Sequence, residues 1–307
     1  MVEIQSSRVN DKTHAGLTKA ASYASLSVAL TLVAAKVWAF SATGSISILS
    51  ALVDSVLDVL ASAITFVAIR YSLQPADAEH RFGHGKSEGL AALAQSVIIA
   101  GSAIFVWSEA VQRLISPQAI EAPLVGVIVV IGSTIMTLAL LGFQRMVVKR
   151  TGSIAIAADA LHYKMDVLVN LSVAVAILLA AWTRWQFVDP LVGIGIAAYI
   201  MWSTYRIAAR SLDILLDREI PVDDRKRIRE IAIGHDKVKG FHDLRTRTTG
   251  THYFLQFHLE LDPHTSLLNT HVILDEVEDS IRAEFPRCEI IVHADPVGLP
   301  EARDHFE

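Results

Sequence analysis

The sequence predicts an α-helical polytopic membrane protein: six transmembrane helices with an inverted repeat over residues 1–212, then a small α+β domain over residues 213–307. Three observations predict it. The 307 residues are 52% hydrophobic and only 19% charged, with a mean hydropathy of +0.42, too apolar for an ordinary soluble chain. Six apolar runs are each long enough to cross a hydrocarbon core, which takes about 20 helical residues. After Arg210 the character changes and the rest reads as soluble. The formal net charge of -5 leaves no basic footprint for nucleic acid. Cys288 is the only cysteine, which excludes an intrachain disulfide and a cysteine-rich zinc module; it reads as a small residue opening a strand.

The stretch up to Lys19 is polar, and no short apolar core with a small-residue cleavage site follows, so a cleaved signal peptide is not expected. The spans then fall at Ala20–Phe40, Ile46–Arg70, Leu90–Val111, Leu124–Phe143, Ile154–Trp182 and Val188–Ile207. Basic residues set the orientation. Arg8, Lys12 and Lys19 precede the first span; Arg70, Arg81 and Lys86 lie between the second and third; Arg145, Lys149 and Arg150 lie between the fourth and fifth. The opposite side carries little beyond Arg113 and Arg184, so both termini are expected in the cytoplasm.

The tail reads helix, strand, strand, helix, strand. "PVDDRKRIREIAI" opens with a proline and acidic residues, as a helix N-terminus prefers. In "THYFLQFHLELD", Tyr253, Leu255, Phe257, Leu259 and Leu261 alternate with residues including His252, His258 and Glu260, a strand with one buried face. Val272, Val277, Ile281 and Phe285 give the second helix its apolar side, and "CEIIVHADP" closes the unit as a strand. Two layers bury these faces most economically.

The second and fifth spans echo each other. "GSISILSALVDSVLDVL" from Gly44 and "GSIAIAADALHYKMDVL" from Gly152 align without gaps, placing Asp54 on His162 and Asp58 on Asp166. Three crossings separate the copies, so they enter the membrane from opposite sides, as in transporters with a site near the midplane.

Those aligned positions carry the chemistry. Asp54 and Asp58 are one helical turn apart and share a face, as do His162 and Asp166. Each pair begins about 15 Å into its helix, at 1.5 Å per residue, near the middle of a core of about 30 Å. A carboxylate there costs about 2.5–3.5 kcal/mol on insertion scales, and intramembrane ionisable groups are functional by default. One divalent cation neutralises several carboxylates at once. Three carboxylates and an imidazole make a tetrahedral set suited to zinc, with cadmium and ferrous iron left open. Protons compete for the same groups, and histidine titrates near pH 6.5, which points to metal/proton antiport with His162 and Asp166 as the proton-coupling residues. A catalytic zinc keeps a position open for water, whereas here protein fills all four, and no H-E-x-x-H occurs. A non-transporting membrane metal sensor or scaffold is the main alternative, and an intramembrane metallohydrolase a weaker one.

The motifs "DSVLD", "HRFGHGKSE", "LHYKMD", "LLDRE", "HDLRTR" and "IIVHADP" occur in that order. Together they resemble the cation diffusion facilitator family, specifically its bacterial zinc/iron efflux transporters, over nearly the whole chain. The resemblance implies a homodimer in the bacterial inner membrane, with a cytoplasmic ferredoxin-like domain (αββαβ), exporting divalent metal in exchange for protons. No catalytic cofactor is implied; zinc, or cadmium or ferrous iron, is both substrate and regulatory ion. Transport-site ligands fall on Asp54, Asp58, His162 and Asp166. A loop site falls on Asp77, His80 and His84, and a cytoplasmic binuclear site on His242, His258, His271, His293 and Asp295. Lys86 and Asp217 match a charge interlock at the family's dimer interface, whereas His14, His235, His252, His264 and His305 match no ligand position and are expected to face solvent. The short "FQRMVVKRTGS" between the fourth and fifth spans leaves no room for the histidine-rich loop of some eukaryotic relatives.

Overall fold

The computed structural model describes residues 2–44, 46–115, 124–183 and 188–298; Arg184 and His305 lie outside them. Six long helices come first: α1 Val2–Thr43, α2 Ile46–Ser72, α3 Ser87–Ile115, α4 Leu124–Thr151, α5 Ile154–Thr183 and α6 Val188–Leu215. Among the described residues, five are long and apolar enough to cross a membrane. The first half of α5 carries Asp159, His162, Lys164 and Asp166. Most helices overrun their predicted spans, because helical hydrogen bonding continues after apolar patterning ends. Large apolar side chains stay exposed along α2 and α3, among them Val53, Leu60, Val97 and Phe105, a surface suited to lipid.

The echo between the second and fifth spans has a backbone counterpart. Gly44 and Gly152 have φ of 63° and 71°, a conformation that a side chain disfavours. Each ends the preceding helix identically: the Gly44 N–H donates to the Phe40 carbonyl at 2.8 Å, and the Gly152 N–H to the Val148 carbonyl at 2.9 Å. These paired caps turn α1 into α2 and α4 into α5.

A buried polar hub holds α5 in place. The Asp159 carboxylate, fully buried, accepts from Ser25 Oγ on α1 (2.5 Å), Gln95 Nε2 on α3 (3.3 Å) and Gln144 Nε2 on α4 (2.6 Å). Ser62 on α2 joins through Ser25 at 2.9 Å and through the Tyr163 hydroxyl on α5 at 2.8 Å. At the start of α5, the buried Glu88 carboxyl accepts from Ser153 Oγ at 2.5 Å and from the N–H groups of Ile154 and Ala155, which a helix N-terminus leaves without partners. Apolar packing of Ile99, Leu161, Met165 and Ile200 completes the seat.

The chain divides into two compact units, one comprising Lys12–Leu212 and the other Met1–Asp11 with Asp213–Glu307. In the second unit, α7 Val222–Ile233 and α8 Leu267–Glu284 pack on a three-stranded sheet of β1 Gly240–Thr248, β2 Tyr253–Leu261 and β3 Cys288–Pro296. The order is β1-β2-β3, with β1 antiparallel and β3 parallel to the central strand. Leu255, Phe257, Leu259 and Leu261 enter a core with Ile228, Ile273, Val277 and Ile281, the period-2 alternation expected from sequence. Ser266 caps α8 by accepting the Asn269 N–H.

Cys288 opens β3 as expected, and burial pushes its thiol up to about 11. On the order of one thiol in a thousand is therefore ionised at pH 8. Iodoacetamide alkylation is expected to accelerate about tenfold per pH unit between pH 8 and 10. A rate that levels off near pH 8.5 contradicts this environment.

Candidate metal sites

The sequence placed ionisable pairs on one face of each of two helices, and the fold brings three of those four side chains together. His162 Nε2 lies 2.8 Å from Asp58 Oδ1 and 4.0 Å from Asp166 Oδ2, and one donor atom from each residue falls within 4.8 Å of the others. His162 and Asp58 are nearly enclosed, with 4% and 13% of their side chains exposed, and Asp166 keeps 30%. Ligand atoms around tetrahedral zinc stand about 3.3–3.6 Å apart, given bonds near 2.0–2.2 Å. The separations of 2.8 and 4.0 Å about His162 Nε2 bracket that spacing. Asp54 stays outside: it is exposed, one helical turn along α2 from Asp58.

Between α2 and α3, Asp77 Oδ1 lies 3.5 Å from His80 Nδ1 and Asp77 Oδ2 lies 3.3 Å from His84 Nε2. Backbone N–H groups of His80 (2.6 Å) and Glu79 (2.9 Å) point at the Asp77 carboxylate and hold it below the usual carboxylate range. Asp77 and His80 are exposed as the loop reading implies, whereas His84 is buried, edge-on to the Tyr71 ring at 4.4 Å.

In the sheet, strand register pairs His242 with His258 and His258 with His293, so three imidazoles form one row across β1, β2 and β3. They face away from the core. The buried Asp295 sits beside the row, its Oδ2 2.8 Å from His258 Nδ1 and 3.3 Å from His242 Nε2, and its Oδ1 3.0 Å from His293 Nε2. The register shift between His242 and Arg245, with Asp243 at φ 50°, re-aims the start of β1. His271 does not join. It is exposed on α8 and lies 3.6 Å from Asp275.

Lys86 lies in the connection preceding α3. Asp217, at φ 56° just after α6, stands 3.8 Å from Arg247. Of the histidines expected to face solvent, His235 is 19% exposed and lies 2.9 Å from Glu276, so it is half-buried.

Sequence reasoning missed four groups. Asp159 lay in the fifth span, but its counterpart in the echo is Ala51, so the alignment drew no attention to it. Lys36 lay unremarked in the first apolar run; its Nζ donates to the Ala51 carbonyl at 3.0 Å and to Ser55 Oγ at 2.5 Å. Glu88 caps α5 from a distant element. Glu260 approaches His242 Nδ1 to 3.4 Å, and its alternation with His258 was the available signal. A Cβ on Gly240 would meet the Glu260 carboxylate at 2.5 Å, so glycine leaves room for it.

Comparison with known proteins gives two family matches: the cation efflux transmembrane domain over residues 22–216 and the cation efflux protein cytoplasmic domain over residues 220–297. The cation-efflux pump FieF of Cronobacter sakazakii is 45% identical over 283 residues, covering 92% of this chain and 94% of that protein. FieF of Klebsiella pneumoniae is 43% identical over 297 residues, covering 96% and 99%. Among solved structures, one of CzrB is 31% identical, covering 26% of this chain and 99% of that one with a TM-score of 0.25.

Proposed function

The chain belongs to the cation efflux family, and from that premise we propose that it exports divalent metal, with zinc preferred over cadmium or ferrous iron, by exchange for protons. It is a transporter, not an enzyme. The observation that carries zinc/proton exchange is the meeting of Asp58, His162 and Asp166 within the apolar helices. Two carboxylates and a nitrogen donor suit zinc better than cations that favour six or more oxygens. Asp54, one turn away, completes the set of four when its rotamer turns inward. Because each ligand binds metal only after losing its proton, proton entry at His162 and Asp166 expels the ion, and alternating access makes this an exchange.

Residues 1–212 form the transport domain and residues 213–307 a cytoplasmic domain for metal binding and dimerisation, with both termini in the cytoplasm of a bacterial inner-membrane homodimer. Lys86 and Asp217 serve as its charge interlock. The row His242, His258, His293 with Asp295 binds regulatory metal, and His271 completes a binuclear site by side-chain movement. The loop residues Asp77, His80 and His84 bind metal more weakly, two of the three being exposed.

The test is zinc flux into proteoliposomes driven by a pH step. Export predicts saturable uptake that collapses when the proton gradient is dissipated. Metal-dependent change in the cytoplasmic domain with no flux supports the sensor reading instead.

A further inference from the structure

We infer that Lys36 is the fixed countercharge of the transport site, setting its net charge so that one divalent ion, and not a monovalent one, neutralises it. This rests on the export reading above and deepens it by assigning valence selectivity to a residue outside the ligand set.

The geometry begins with the repeat. Lys36 stands eight residues before Gly44, and Gln144 stands eight before Gly152. Each reaches to the residue seven positions past its glycine: Lys36 Nζ to the Ala51 carbonyl at 3.0 Å, and Gln144 Nε2 to the Asp159 carboxylate at 2.6 Å. The two halves thus share one architecture with different charges. The second half pairs a neutral amide with an acid, and the first half carries a cation with no acid at the matching position.

That cation is anchored at the site. Its second acceptor, Ser55 Oγ at 2.5 Å, belongs to the residue directly after Asp54 and three before Asp58. Through Ser55 the ammonium is held against the same turn of α2 that carries Asp54 and Asp58. Both anchors of Lys36 are neutral oxygens, so neither cancels its charge.

Three carboxylates and one ammonium leave two negative charges. A divalent ion brings this group to neutrality, which a low-dielectric surrounding strongly favours. A monovalent ion leaves it one charge short. Without the ammonium, three negative charges remain, a divalent ion is held more tightly, and its release is slower.

The experiment measures zinc and cadmium uptake by proteoliposomes holding the full chain at saturating proton gradient. K36Q keeps a donor for Ala51 and Ser55 but removes the charge. Its KM is expected to fall about tenfold with a comparable fall in kcat, as a fixed positive charge near a divalent ion implies. K36R is expected to keep both constants within about twofold. If K36Q does not assemble, K36M gives the same reading. A KM for the charge-free variant that is unchanged or higher, with wild type transporting, overturns the role of Lys36 and leaves the export reading intact. A wild type without saturable uptake removes both.

Discussion

His162→Ala is expected to abolish metal transport, lowering kcat/KM for zinc by more than about 100-fold. Losing a residue that only supports a ligand costs about 10–100-fold, and a ligand itself costs more. His162 supplies the only nitrogen in the intramembrane cluster, and its Nε2 faces both Asp58 and Asp166. Its removal leaves carboxylates alone, a set that magnesium or manganese tolerates better than zinc. Zinc uptake at varied concentration, with the variant's membrane insertion checked by size-exclusion chromatography, measures the loss. Transport by His162→Ala within tenfold of wild type contradicts the assignment.

Asp159→Ala is expected to destabilise the membrane domain by about 1–3 kcal/mol, the cost of a buried donor left without its acceptor. The donor stranded is Gln144 Nε2, whereas Ser25 Oγ keeps Ser62 and Gln95 Nε2 keeps the Ala61 carbonyl and Thr65 Oγ1. The hub lies three residues before His162 on α5, so its loss also loosens the element that aims the ligand pair. Thermal unfolding of the purified full chain in detergent tests this. Asp159→Asn, which keeps one acceptor oxygen, is expected to lose less. Equal melting temperatures for wild type and Asp159→Ala contradict the hub.

Much of the fold was legible because apolar length and period report burial directly. The six long helices and the αββαβ tail follow from runs of Leu, Ile, Val and Ala and from alternation in "YFLQFHLEL". The repeat was legible because its glycines must occupy left-handed backbone in both copies. Of the four aligned ionisable positions, three converge, because a shared helical face fixes direction but not rotamer, and Asp54 takes the open side. His271 was matched by position alone, and nothing in α8's pattern brings it to the sheet. Lys36, Asp159, Glu88 and Glu260 went unread because each acquires its role from a partner on another element. Such pairings depend on how helices and strands dock, and only for Glu260, two residues past His258 on β2, did a local period carry a signal.

A single ion held between α2 and α5 would be visible by anomalous scattering from zinc-loaded crystals of the full chain. A peak is expected within about 2.0–2.2 Å of Asp58, His162 Nε2 and Asp166, with Asp54 drawn in as the fourth ligand. Zinc at the histidine row of the sheet, with none between the two helices at saturating metal, would contradict this site.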